Sequence, residues 1–141
     1  MKLTDNFTLE ELLASDTAKQ NGIDNTPDFE SAARLAVLAC NVLQPARDAL
    51  KRPIFVNSGY RCPKLNCHPD IRGAVNSQHL MGEAADLRCE DIPTLRRLFD
   101  ILCKMDCDQV LYERNKKGAV WIHVSYRASG NRNQHIDNYQ A

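Results

Sequence analysis

The chain has 141 residues, 43% apolar and 26% charged, with Lys+Arg and Asp+Glu equal at 18 each. That is the make-up of one ordinary domain over residues 1–141, and it excludes disordered, collagen-like and coiled-coil chains. Zero net charge argues against a nucleic-acid partner, and no apolar run is long enough to enter a membrane.

The first predicted helix starts at Thr8, with Glu11 three residues on as a capping box. Phe7 and Leu12 are spaced as its hydrophobic staple, and the Asn21-Gly22 pair ends the helical pattern. Thr26-Pro27-Asp28 reads as a second helix start, with Thr26 as cap and Pro27 in the first helical position. Phe29, Ala32, Ala33, Ala36, Val37, Cys40 and Leu43 recur at helical steps and predict its buried face. Pro45 should interrupt this helix near Leu43.

Pro53 to Asn57 reads as a short strand, followed by a long polar stretch over 58–85 with a strand at Ala84 to Leu87. A stretch of that length in a small domain usually carries function. Ile92 to Met105 is a helix with Leu95, Leu98, Phe99 and Leu102 on one face. Gln109 to Tyr112 and Ala119 to Val124 are strands joined as a hairpin, and the polar tail after Tyr126 reads as irregular. The order predicts an α+β fold with a small antiparallel sheet and flanking helices.

Six cysteines, at positions 40, 62, 67, 89, 103 and 107, include no C-x2-C pair. A zinc ribbon is therefore disfavoured, and free thiols are expected, with Cys40 and Cys103 as small core residues. The opening segment has no continuous apolar core and no cleavage site. Synthesis in the cytoplasm without a signal peptide is the expectation, with action at the cell wall only after release.

Four histidines are present, and two stand in suggestive contexts. His79 is followed seven positions later by Asp86. His123 lies on the last strand of the hairpin, where Val120, Ile122 and Val124 share one face and Trp121, His123 and Ser125 the other. Two imidazoles and a carboxylate are a common catalytic zinc set that leaves a fourth position for water. On spacing alone, surface or capped histidines account for the pattern better.

Ser77-Gln78-His79-Leu80-Met81-Gly82-Glu83-Ala84-Ala85-Asp86 fits S-x-H-x-x-G-x-A-x-D at every specified position. Asn57-Ser58-Gly59-Tyr60-Arg61 stands upstream and Trp121-Ile122-His123-Val124-Ser125 downstream. In these motifs and their order the chain resembles the zinc D-Ala-D-Ala carboxypeptidase family. That family's wider group includes D,D-dipeptidases, phage L-Ala-D-Glu endolysins and the hedgehog domain. The opening Phe7 to Asp24 is similar to small phage and prophage members.

The resemblance implies a hedgehog/D,D-peptidase-like fold, one Zn2+ held by His79, Asp86 and His123, and a peptidoglycan stem peptide as substrate. It implies a zinc peptidase, a carboxypeptidase or related murein endopeptidase, with phage lysis as one setting; a monomer is expected. Arg61 resembles the family's substrate arginine, Ser77 is placed to bond either the substrate backbone or its own loop, and Trp121 is placed as a wall of the substrate pocket. The general base is expected at Glu113, because Leu111-Tyr112-Glu113 resembles the hedgehog-type strand pair and Val120 and Trp121 cannot accept a proton. Asp108 is the weaker candidate. The rival reading is a zinc-containing binding or phage structural module without turnover.

Overall fold

The computed structural model describes residues 1–141. Thr8 caps helix α1 (Leu9–Leu13) as expected: its hydroxyl accepts from Glu11 N while Glu11 accepts from Thr8 N. Phe7 and Leu12 are buried together in the core. The helical pattern then breaks at Ala14, and Ser15 caps a separate helix α2 (Asp16–Gln20). Helix α3 (Phe29–Leu38) is capped by Asp28, whose carboxylate accepts from Ser31 N at 2.8 Å. Thr26, the expected cap, is engaged elsewhere: its N–H and hydroxyl both donate to Asp24.

The predicted face of α3 is corrected. Leu43 is buried as predicted, but Phe29 is 87% exposed, Val37 and Cys40 are exposed, and the rest of the buried row is Ser31, Leu35, Leu38, Ala39 and Val42. Both rows have helical spacing, but the observed one carries the larger branched side chains and so removes more apolar area from water. Pro45 does perturb the helix. Lacking an N–H, it cannot bond the preceding turn, and the chain passes through a π-helical turn (Ala39–Leu43) before α4 (Gln44–Leu50). Cys103 is half-buried, and Cys107 is the thiol in the core. None of the six cysteines is paired.

After strand β1 (Phe55–Ser58), the long polar stretch contains helix α5 (Pro63–Asn66) and a 3-10 turn (Gln78–Met81). Strand β2 (Ala84–Arg88), helix α6 (Ile92–Cys103) and strands β3 (Gln109–Arg114), β4 (Val120–Ser125) and β5 (Gln134–Gln140) complete the chain. The sheet order is β1-β2-β4-β3-β5. Its first four strands are antiparallel as expected, but β5 adds to β3 in parallel, so the sheet is mixed and the tail is not irregular. The fold is α+β.

Alternation along the strands gives the sheet two faces. Leu87, Val110, Tyr112, Ile122 and Val124 point to one side and join Leu35, Leu38, Leu98 and Leu102 of α3 and α6 in the core. Leu95, Leu98, Phe99 and Leu102 are all buried, as the periodicity of α6 predicted. Asp86, Leu111, Glu113 and His123 are on the opposite side, which the helices leave uncovered. No helix is long and apolar enough to cross a membrane.

Candidate metal centre and its cleft

Asp86 on β2 and His123 on β4 are direct register partners, so the pleat puts both side chains on one face with backbones a single strand spacing apart. His123 Nδ1 lies 3.1 Å from Asp86 Oδ1. His79 reaches the same carboxylate from outside the sheet, with Nε2 3.3 Å from Oδ1. Gly82 makes that approach possible. It ends the 3-10 turn at φ 74°, and a Cβ there would fall 2.3 Å from Ser31 O on α3. Arg34 holds the same turn to α3 by donating to Met81 O at 3.0 Å.

A second segment fixes the ring. His79 Nδ1 is 2.6 Å from Gly59 O, and a carbonyl only accepts, so Nδ1 carries the proton and Nε2 keeps its lone pair. Arg61 N donates to His79 O at 3.0 Å, and Tyr60 N to Leu12 O at 2.8 Å. A Cβ at Gly59 would meet Leu12 O at 2.3 Å, so only glycine lets this strand end lie against α1. The Ser58 to Arg61 segment thus holds the histidine backbone, the imidazole and the guanidinium at once.

Burial pushes the His79 imidazole below its ordinary value, which favours the neutral, ligand-competent form. Burial opposes ionisation of Asp86, but the His79 and His123 rings, which pair with the carboxylate whenever they carry a second proton, hold its carboxyl below the usual range. Arg61 Nη2 is 3.8 Å from Asp86 Oδ2, and its Nε has no partner. One donor atom from each of His79, Asp86 and His123 falls within 4.8 Å of the others. A neutral imidazole with a fixed tautomer, a second imidazole and an ionised carboxylate are the donor set a borderline divalent ion prefers, so these residues could hold a metal ion.

The three donors lie in a cavity of about 290 Å3 that Arg61, Ser77 and Glu113 also line. Glu113 stands opposite Trp121 and diagonal to His123 in the hairpin register, on the same face. Burial and the charge of Asp86 raise its carboxyl above the ordinary value, although His123, the Trp121 indole and Arg61 pull the other way. No ion pair joins it to Arg114 or Lys116. Ser77 Oγ accepts from His79 N at 3.2 Å, so its hydroxyl caps the turn from the rim of the cavity. Trp121 is half-buried and is not among the lining residues; its indole stands behind Glu113 instead.

Asp108, the weaker candidate for base, lies elsewhere. Its side chain is fully buried, accepts from Arg132 Nε and Nη2 at 3.0 and 2.7 Å, and does not line the cavity. Arg132 and Tyr139 do line it, and sequence reasoning missed both. The parallel docking of β5 brings Tyr139 there and the pair with Asp108 brings Arg132, and the alternation of Ile136 with polar neighbours was the faint signal available.

No curated protein matches the chain at a significant level. The family profile described as Peptidase M15 matches residues 5–125, a span that contains Arg61, the His79–Asp86–His123 cluster and Glu113 and stops short of β5. The chain therefore belongs to the peptidase M15 family, the zinc D-Ala-D-Ala carboxypeptidase family its motifs resemble.

Proposed function

We propose that the protein is a zinc-dependent peptidase acting on peptidoglycan stem peptides, at the D-Ala-D-Ala terminus or at a related bond within the stem. One observation carries this reading: a carboxylate, Glu113, and a guanidinium, Arg61, share a cavity with three converging metal donors. A site that bound metal only for structure would have no need of a proton acceptor there.

His79, Asp86 and His123 would hold the ion, which when bound supplies Lewis acidity to a scissile carbonyl and to a water molecule. Glu113 takes the proton of the attacking water and returns it to the leaving amine, and burial, which raises its carboxyl above the ordinary value, makes it the better proton acceptor. Trp121 keeps that carboxylate in place from the neighbouring strand. Arg61, anchored through its backbone to His79, donates to the oxygen on which negative charge develops. Ser77, at the cavity rim, contacts the substrate backbone.

The test is purified protein with zinc and defined muropeptides, with products identified by mass. Release of D-Ala or scission within the stem is the expected result. His123→Ala should lose both the metal, by metal analysis, and the turnover. Tight zinc without any hydrolysis would leave a binding module in place of a peptidase.

A further inference from the structure

Strand β5 and the turn before it bring to the cleft two side chains that the account above does not use. Along its pairing with β3, Gln134, Ile136 and Tyr139 stand opposite Gln109, Leu111 and Glu113. Those three β3 residues all line the cavity. Strict alternation from Ile136 would put Asn138 on that face and Tyr139 on the helix side. Instead the register slips by one residue between Leu111 and Glu113, and Asn138 takes φ 57°. Bulges of this kind re-aim a side chain, and asparagine tolerates the left-handed conformation better than most residues. The result is that Tyr139 enters the cavity beside Glu113. The strand is anchored just before the bulge, where Asp137 accepts from both terminal nitrogens of Arg96 on α6 at 2.8 and 2.7 Å.

Arg132 is the second. Its Nε and Nη2 are committed to Asp108, which fixes the plane of the guanidinium, while Nη1 has no protein partner. Its side chain is 53% exposed and lines the same cavity. A guanidinium N–H of fixed direction, left over from the Asp108 pair, donates best to an anionic oxygen such as that of a carboxylate.

We propose that Arg132 and Tyr139 form the substrate-selecting wall of the cleft. Tyr139 packs on the peptide next to the scissile bond, and Arg132 Nη1 donates to a free carboxylate of the stem. The proposal rests on the peptidase reading for its substrate class. Both residues bind substrate, and both lie beyond the span matched by the family.

The probes are the pentapeptide L-Ala-γ-D-Glu-L-Lys-D-Ala-D-Ala and its two forms amidated singly, at the D-Glu carboxylate or at the C-terminus. Kinetics on the zinc-loaded protein are read beside calorimetric binding to the metal-free protein. Tyr139→Ala should raise KM about tenfold while kcat stays within about threefold, the pattern of lost uniform binding. Asn138→Val, which disfavours the bulge, should behave like Tyr139→Ala, and Asn138→Gly like the wild type. One of the two amidations should weaken wild-type binding about tenfold. The paired variant Asp108→Asn with Arg132→Gln, which keeps a neutral hydrogen-bonding pair, should abolish that preference. A KM unmoved by Tyr139→Ala, a preference that survives the paired variant, or no preference at all would overturn the wall. If the wild type cleaves nothing, calorimetry decides. Binding weakened by Tyr139→Ala keeps the wall and retires the peptidase reading, while absent or unweakened binding retires the wall.

Discussion

The two faces of the sheet are built from alternate residues of the same strands, yet they do opposite work. On one face Leu87, Ile122 and Tyr112 are covered by helices and hold the fold together. On the other, one position along each strand, Asp86, His123 and Glu113 present ionisable side chains to the cleft. Two carboxylates make the contrast sharper. Asp108 is neutralised by a two-point ion pair with Arg132, whereas Asp86 is held among imidazoles with its nearest guanidinium 3.8 Å away. A satisfied carboxylate stabilises a fold; an incompletely satisfied one is available to a ligand. Site-face changes should therefore cost activity and spare stability, and core-face changes the reverse.

The largest expected effect is on the site face. Glu113→Gln keeps the shape and the hydrogen-bonding edge but cannot take a proton near neutral pH. Muropeptide turnover should fall by about a hundred- to ten-thousandfold, with zinc content and melting temperature nearly unchanged. Turnover at the wild-type rate would break the comparison at its centre, because Asp108 is buried in an ion pair and offers no substitute.

On the core face, Leu98→Ala removes a fully buried side chain of α6. It should cost about 2–5 kcal/mol by denaturant unfolding, while the folded fraction retains the wild-type kcat. A loss of kcat at full folding would mean that the two faces are not independent.

This division was partly legible in the amino-acid sequence. The Thr8 capping box, the α6 stripe and the β3–β4 hairpin rest on local rules and appear as expected. The His79–Asp86–His123 convergence was legible only through motif resemblance, because the Gly82 turn and the β2–β4 register that create it are tertiary. Two features were hidden for definite physical reasons. On α3, an alanine-rich row and a leucine-containing row share the same helical spacing, so periodicity could not choose between them, and the π-helical turn before Pro45 shifts the phase further. Strand β5 is an edge strand of mostly exposed polar residues paired in parallel with a partner distant in sequence, and neither property leaves a strong local pattern.

Asp108→Asn tests the satisfied carboxylate. Loss of the charge-assisted pair should cost about 1–3 kcal/mol at neutral pH. The Asp108 carboxyl lies below its ordinary value in the folded protein, chiefly through the hydrogen bond from Arg132. Its contribution is therefore present above the unfolded value of about 3.9 and is lost as pH falls below about 4 towards the folded value. Thermal melts across that range should fall less steeply for the variant than for the wild type. Equal slopes would show that the pair does not couple to acid unfolding.

The smallest effect is the most direct check on which side of α3 faces inward. Phe29 is the residue that the sequence pattern buries and the structure exposes, at 87%. It follows the Asp28 cap directly, and its ring is not in the core, so Phe29→Ser removes a large apolar group that makes little difference to folded packing. The expected change in unfolding free energy is within about 0.5 kcal/mol. Leu35→Ala, on the buried row of the same helix, should cost about 2–5 kcal/mol by the same measurement. The pair is informative because the helix and the assay are shared and only the face differs. If Phe29→Ser proved as costly as Leu35→Ala, α3 would be rotated from the orientation described. The Gly82–Ser31 and Arg34–Met81 contacts that hold the His79 turn against it would then be lost with it.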